Sequence, residues 1–247
     1  MTNARRPDDT HDPVRRALLL RSAVLGMLMG STGWSTRLLA AALDRVPARL
    51  PAGRSVYEIR GDVTVNGQRV TTDTLIRASD TIRTGSNSYL ITAVGDNAFL
   101  IRENSVLEMA GETTIRSLRL LTGKLLGVFG RQMLGQPIAL RTVTATIGIR
   151  GTGLYAEAYP DRTYLCTCYG TTELAAANDP KATEKITSRH HDAPRWILAE
   201  PEKGRSIIPA SVNNHTDEEL MTLEALVGRK PPFGAYETPY ERPRREY

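Results

Sequence analysis

TVTATIGIRGTGLYAEAYPDRTYLCTCYGTTEL, residues 142–174, decides how this chain folds. β-Branched and aromatic residues are interleaved with small and polar ones, and Gly148, Gly151, Gly153 and Gly170 punctuate the run. Such a pattern suits a pleated, half-buried surface rather than a helix. Pro160-Asp161-Arg162 interrupts it with turn formers, so residues 154–159 and 163–168 read as the arms of a hairpin. The register of that hairpin governs the only two cysteines of the chain, Cys166 and Cys168. With a three-residue loop, Cys166 stands opposite Ala156, on an apolar face with Leu154 and Ala158. Slipped by one residue, it stands opposite Glu157, on a polar face with Tyr155 and Tyr159.

Residues two apart in a strand share a face, so Tyr164, Cys166 and Cys168 point together. At a rise of about 3.3 Å per residue their Cα atoms stand ~6.6 Å apart with parallel Cβ vectors, a poor geometry for a mutual disulfide. Three readings stay open. The cysteines fill a core as small hydrophobes. They are redox-active, within or between chains. Or they are half of a metal site. For the last, the chain holds four histidines, of which His11 lies in the N-terminal segment, leaving His190, His191 and His215. The segment SRHHDAPRW, residues 188–196, sets two imidazoles side by side with Asp192 following. The candidate metal set is therefore Cys166, Cys168, His190 and His191, which suits zinc or another transition metal. In extended chain only one of the paired histidines faces such a site, and Asp192 is placed to orient its ring.

The rest of the body also reads as strands. VTVNG (63–67) runs into an Asn-Gly turn, and YLITAVGDNAFLIRENS (89–105) reads as a hairpin about residues 94–97. Segment 115–130 is punctuated by Gly123, Gly127 and Gly130. The expected class is all-β. One helix is expected near 217–227, with Thr216 or Asn214 as cap, Leu220, Leu223 and Leu226 on one face, and Gly228 as its stop. It belongs to a C-terminal extension over 176–228. Residues 229–247, rich in proline and mixed charge, read as a disordered tail.

The net charge of +5 does not point to nucleic acid. Six arginines against three aspartates give residues 1–42 a charge of +3, and residues 229–247 add +2 through five Lys/Arg against three Glu. The body between is neutral and lacks the clustered basic face that phosphate binding needs. Residues 1–42 read as an export signal or membrane anchor. Arg15-Arg16 precedes a modest apolar run that ends near Ala40-Ala41-Ala42, and RRALLL is similar to a twin-arginine signal. The uncharged stretch from Ser22 to Thr36 is short for a membrane-spanning helix.

Four features recur in order over residues 56–175: the Thr84-Gly85 turn before an apolar strand, the Gly123 step, Arg150-Gly151-Thr152, and the Tyr169-Gly170 turn. In this order they resemble the FecR-like domain, the periplasmic part of iron-dicitrate sensor regulators. The resemblance implies a stack of short strands, solenoid-like or double-layered. It also implies a non-enzymatic sensing or scaffold role in the bacterial envelope, with a ligand, metal or protein bound. The expected location is periplasmic or otherwise exported, with membrane contact only through an uncleaved N-terminus. Expected partners are an envelope protein or a small ligand. Sigma-factor binding is not expected, since the residues before the apolar run are too few for the helical domain that holds one. Neither GTGLY (151–155) nor IGIRGTG (147–153) makes a nucleophile elbow or a dinucleotide loop, and no catalytic set emerges. The rival function is a metal- or redox-dependent protein or enzyme using Cys166 and Cys168 with His190 or His191.

Overall fold

The computed structural model describes residues 48–130 and 137–233. The expected export signal at 1–42 lies outside the described residues, as does the tail beyond 233. Among the described residues, fourteen strands form one sheet. They are β1 (Val56–Arg60), β2 (Val63–Val65), β3 (Gln68–Arg69), β4 (Thr81–Thr84), β5 (Tyr89–Val94), β6 (Asn97–Ile101) and β7 (Val106–Ala110). There follow β8 (Ser117–Val128), β9 (Ile138–Arg141), β10 (Ala145–Ala158), β11 (Arg162–Ala176), β12 (Thr183–Ser188), β13 (Arg195–Glu202) and β14 (Arg205–Pro209). A helix, α1 (Asp217–Leu226), closes the described chain. The fold is all-β with a short C-terminal helix, and β12–β14 extend the sheet through residues 183–209.

Three long strands organise the sheet by changing partners midway. β8 lies against β7 and β9 in its first half and against β6 and β10 in its second. β10 pairs with β9 over residues 146–149 and with β8 over 153–158. β11 pairs with β13 over 162–165 and with β12 over 170–175. Between the halves the strands bend, and β10 and β11 shift register between Arg150 and Leu154. Glycine makes the bends possible. Gly123 has φ +92, and a Cβ there would lie 2.4 Å from the Ser105 Cα. Gly170 has φ +86, and a Cβ would meet the Gly151 carbonyl at 2.6 Å.

The bent sheet folds its two halves over one interior. Leu90, Phe99, Leu125, Ala156 and Leu165 from one half join Val63, Ile82, Leu107, Leu118, Leu140, Ile147 and Leu174 from the other in a single cluster. The opposite face of the first half carries a second cluster, in which Leu100, Leu126, Val128, Tyr155, Tyr164, Cys166 and Cys168 meet Leu220, Leu223, Leu226 and Val227 of α1 and its end. The helix is set by a capping box. Thr216 Oγ1 accepts from Glu219 N–H at 3.4 Å, and the Glu219 carboxylate accepts from Thr216 N–H at 3.1 Å.

Local turn chemistry matches the sequence. Asn66 and Gly67 join β2 to β3 with φ values of 50 and 80, the signature of a type I′ hairpin. β5 and β6 pair from Leu90↔Ile101 to Val94↔Asn97. The decisive hairpin differs from both registers expected. Tyr159 N–H bonds the Arg162 carbonyl at 3.0 Å, so Pro160-Asp161 is a two-residue loop. Cys166 therefore stands opposite Tyr155, and Tyr164 opposite Glu157. The cysteines lie on the Tyr155/Glu157 face, away from Leu154 and Ala156.

Candidate metal centre

Cys166 and Cys168 emerge side by side from the middle of β11, on the face that α1 covers. Both are free thiols with no exposed surface. Two further residues arrive from distant segments. His191 lies in the loop between β12 and β13, which is docked on β11 by its own N–H to the Cys168 carbonyl at 2.9 Å. His215 stands immediately before the cap of α1 and stacks on Tyr155, with ring centroids 4.7 Å apart. One donor atom from each of Cys166, Cys168, His191 and His215 lies within 4.8 Å of all the others, and all four residues are buried. His191 Nδ1 is 3.4 Å from the Cys166 sulfur and 2.9 Å from His215 Nε2. In a tetrahedral zinc site, bonds of about 2.3 Å to sulfur and 2.0–2.1 Å to nitrogen set S···N separations near ~3.5 Å and N···N near ~3.3 Å. These two separations lie close to those values.

The outer hydrogen bonds orient both rings. His191 Nε2 faces the Asp217 carboxylate at 3.1 Å, and His215 Nδ1 faces the Asn213 carbonyl at 2.5 Å. Each of those partners accepts, so each ring uses its N–H outward. In the neutral tautomers this aims two nitrogen lone pairs at each other across 2.9 Å. Such a contact calls for a cation between them, a proton or a metal ion. A carboxylate behind a ligating imidazole is the usual supporting arrangement of metal centres.

The electrostatics agree with that polarisation. Burial alone would raise Cys166, but its hydrogen bond with Cys168 and the neighbouring His215 and His191 outweigh it and hold this thiol well below its ordinary value. Burial and the adjacent Cys166 push Cys168 well above it. Burial would lower His191, yet Asp217 and Cys166 raise it to about 9. Burial would raise Asp217, but its two imidazole partners hold it below the usual carboxylate value.

Of the residues expected from sequence, Cys166, Cys168 and His191 converge. His190 does not join that set but turns its Nε2 to the Asp217 carboxylate, at 3.0 and 2.9 Å from the two oxygens. His191 adopts φ 55, so the chain at this pair is not extended. Asp192 accepts from Arg189 N–H at 2.7 Å and Ser188 Oγ at 3.3 Å, which shapes the turn. The orienting carboxylate is Asp217. His215 and Asp217 carry no spacing signal, since His215 is 24 residues from His191. The available clue was that His215 is the one remaining histidine and immediately precedes a strong helix cap.

Polar groups also line the seam beside the cluster. The Glu157 carboxylate accepts from Tyr155 OH at 2.7 Å, Tyr159 OH at 2.6 Å and Asn214 Nδ2 at 2.7 Å. Arg102 pairs with Glu219 at 2.7 Å, both side chains buried. Tyr169 OH donates to the Glu224 carboxylate, which also pairs with Arg229 at 2.6 Å. Among the described residues no helix is long and apolar enough to cross a membrane.

No protein-family model and no curated protein sequence matches the chain. Two crystal structures of a proposed anti-sigma factor from Parabacteroides distasonis, at 1.65 and 2.50 Å resolution, share 15% and 14% identity with it, each at a TM-score of 0.44. Each match covers 53% of this chain and 58% of the other, so the chain spans little more than half the length of the structures it matches. The FecR-like resemblance rests on the order of the sequence motifs.

Proposed function

We propose that this chain is an exported, non-enzymatic binding module of the sensing or scaffold type, completed by one transition-metal ion held by Cys166, Cys168, His191 and His215. The observation that carries the metal reading is the convergence of four buried donors, one each from Cys166, Cys168, His191 and His215, within 4.8 Å of one another. Two sulfurs and two imidazoles favour zinc among common divalent ions. The ion ties β11, the β12–β13 loop and the approach to α1 together, and four buried donors leave it no open position. That is the form of a structural site. The sensing class and the envelope location come from the FecR-like motif order and the basic, apolar N-terminal segment. The partner is an envelope protein or small ligand.

Elemental analysis of untagged protein tests this. About one equivalent of zinc per chain is expected, lost in Cys166→Ser/Cys168→Ser. A metal-free protein that takes up no zinc, with both thiols inert until unfolding, would return the cysteines to core packing. The redox alternative has one observation in its favour, the low-held Cys166 thiol. Rapid alkylation of Cys166 in the folded, metal-free chain, with no zinc uptake, would select it.

A further inference from the structure

We infer that the cluster takes a second, exchangeable divalent ion on His190, His191 and Asp217, with the His191 ring bridging the two ions. This rests on the Cys₂His₂ reading above, because His191 Nδ1 is given to the first ion. Its Nε2 then points at a separate donor set. His190, His191 and Asp217 form a second group, each offering one donor atom within 4.8 Å of the others, and the Nε2 atoms of both rings face the Asp217 carboxylate.

The backbone brings these donors together in an uncommon way. Side chains of adjacent residues in extended chain point to opposite sides. His191 instead adopts φ 55, a conformation that a residue with a Cβ seldom takes outside turns. As a result both imidazoles reach one carboxylate, with N···O distances of 2.9, 3.0 and 3.1 Å. Donors on one ion with bonds of about 2.0–2.1 Å stand ~2.9 to ~3.4 Å apart. Orienting His191 for the first ion requires only the His191–Asp217 bond, so the convergence of His190 on the same oxygens is the feature the first ion leaves unexplained.

The two positions differ in access. The His191 side chain is 1% exposed, whereas those of His190 and Asp217 are 16% and 23% exposed. His190 lines a cavity of about 980 Å³ with Phe129, Tyr169 and Phe233. Three protein donors and an open side make a site that keeps water and exchanges its ion, in contrast to the closed one. Charge also balances. Two divalent ions are matched by two thiolates, the bridging imidazolate and the Asp217 carboxylate, so the half-buried unit is neutral. Loading the second ion displaces the His191 Nε2 proton to solvent.

The test is a cobalt(II) titration of the reduced, metal-free full chain. Thiolate-to-cobalt absorption reports the first position, equilibrium dialysis counts bound ions, and a pH indicator follows proton release. The thiolate band is expected to saturate at one equivalent while dialysis reaches two, the second with proton release. His190→Ala should keep the band and bind one. Saturation at one ion in both proteins, with the band intact, overturns the second position and leaves the first standing. Absence of any thiolate band in the parent chain overturns both. Should His190→Ala lose the band by misfolding, the parent titration decides alone, by whether a second ion binds without further growth of the band.

Discussion

The two faces of the bent sheet are built from different materials. Toward the interior, Val63, Ile82, Leu107, Leu118, Leu140 and Ile147 pack in one aliphatic and aromatic cluster. Under α1, the same sheet presents Tyr155, Tyr164, Tyr169 and both cysteines, and the seam buries Arg102, Glu157, His191, His215, Glu219 and Glu224. Aliphatic burial is non-directional and tolerates small shifts, so the inner face needs only the right period and volume. Buried charges and imidazoles are tolerated only with fixed partners. The outer face is therefore the one whose geometry is specified atom by atom, and it holds the donors that could take an ion.

The widest gap between the faces should appear on opening a hole in the inner one. Phe99 is fully buried and packs edge-on against Phe129, with ring centroids 5.6 Å apart. Phe99→Ala is expected to cost about 4 kcal/mol in urea unfolding. The loss should be equal with and without zinc, and a zinc-dependent loss would break the separation of the faces. On the outer face, Arg102→Ala strips the Glu219 carboxylate of its 2.7 Å partner inside the seam. The expected cost is about 3 kcal/mol, since a charge left buried without its partner is penalised more than the pair is worth. Arg102→Met combined with Glu219→Gln removes both charges while keeping an acceptor for the Thr216 N–H, and should recover most of the loss. If the double variant is no better than Arg102→Ala, the pair stabilises by its own attraction and the seam is less specified by charge than argued.

The same division explains what could be read before the structure. Asn66-Gly67, the hairpin around Gly95-Asp96 and the Thr216-capped helix are local, each settled by residues within one turn of one another. The shared face of Cys166 and Cys168 followed from the two-residue period alone. The face itself did not, because a loop of two residues rather than three changes the pairing, and Pro160-Asp161-Arg162 is compatible with either. Strands β12–β14 carry short apolar runs such as Trp196-Ile197-Leu198 whose pairing depends on the bend at Gly170, a long-range event. His215 was the least legible, since helix docking and the left-handed turn at His191 bring it to the cysteines.

The finest test asks whether the helix and the donors are one unit. Thr216 lies between His215 and Asp217, and its hydroxyl accepts from Glu219 N–H. Thr216→Ala removes that bond and leaves the reciprocal one, at a cost of about 1 kcal/mol. If the cap does no more than hold the first turn of α1, the loss appears in hydrogen exchange of that turn and zinc affinity stays unchanged. If His215 reaches the cysteines only when that turn is formed, the cost transfers to binding. Zinc affinity then falls by up to about fivefold, the equivalent of 1 kcal/mol. The present geometry favours the second result, because Asn214, next to His215, is tied to the sheet through Glu157 and, through the Arg102 guanidinium shared by the Asn214 carbonyl and the Glu219 carboxylate, to the first turn of α1. An unchanged affinity alongside faster exchange would show that the sheet alone positions His215, and that α1 covers the donors without setting them.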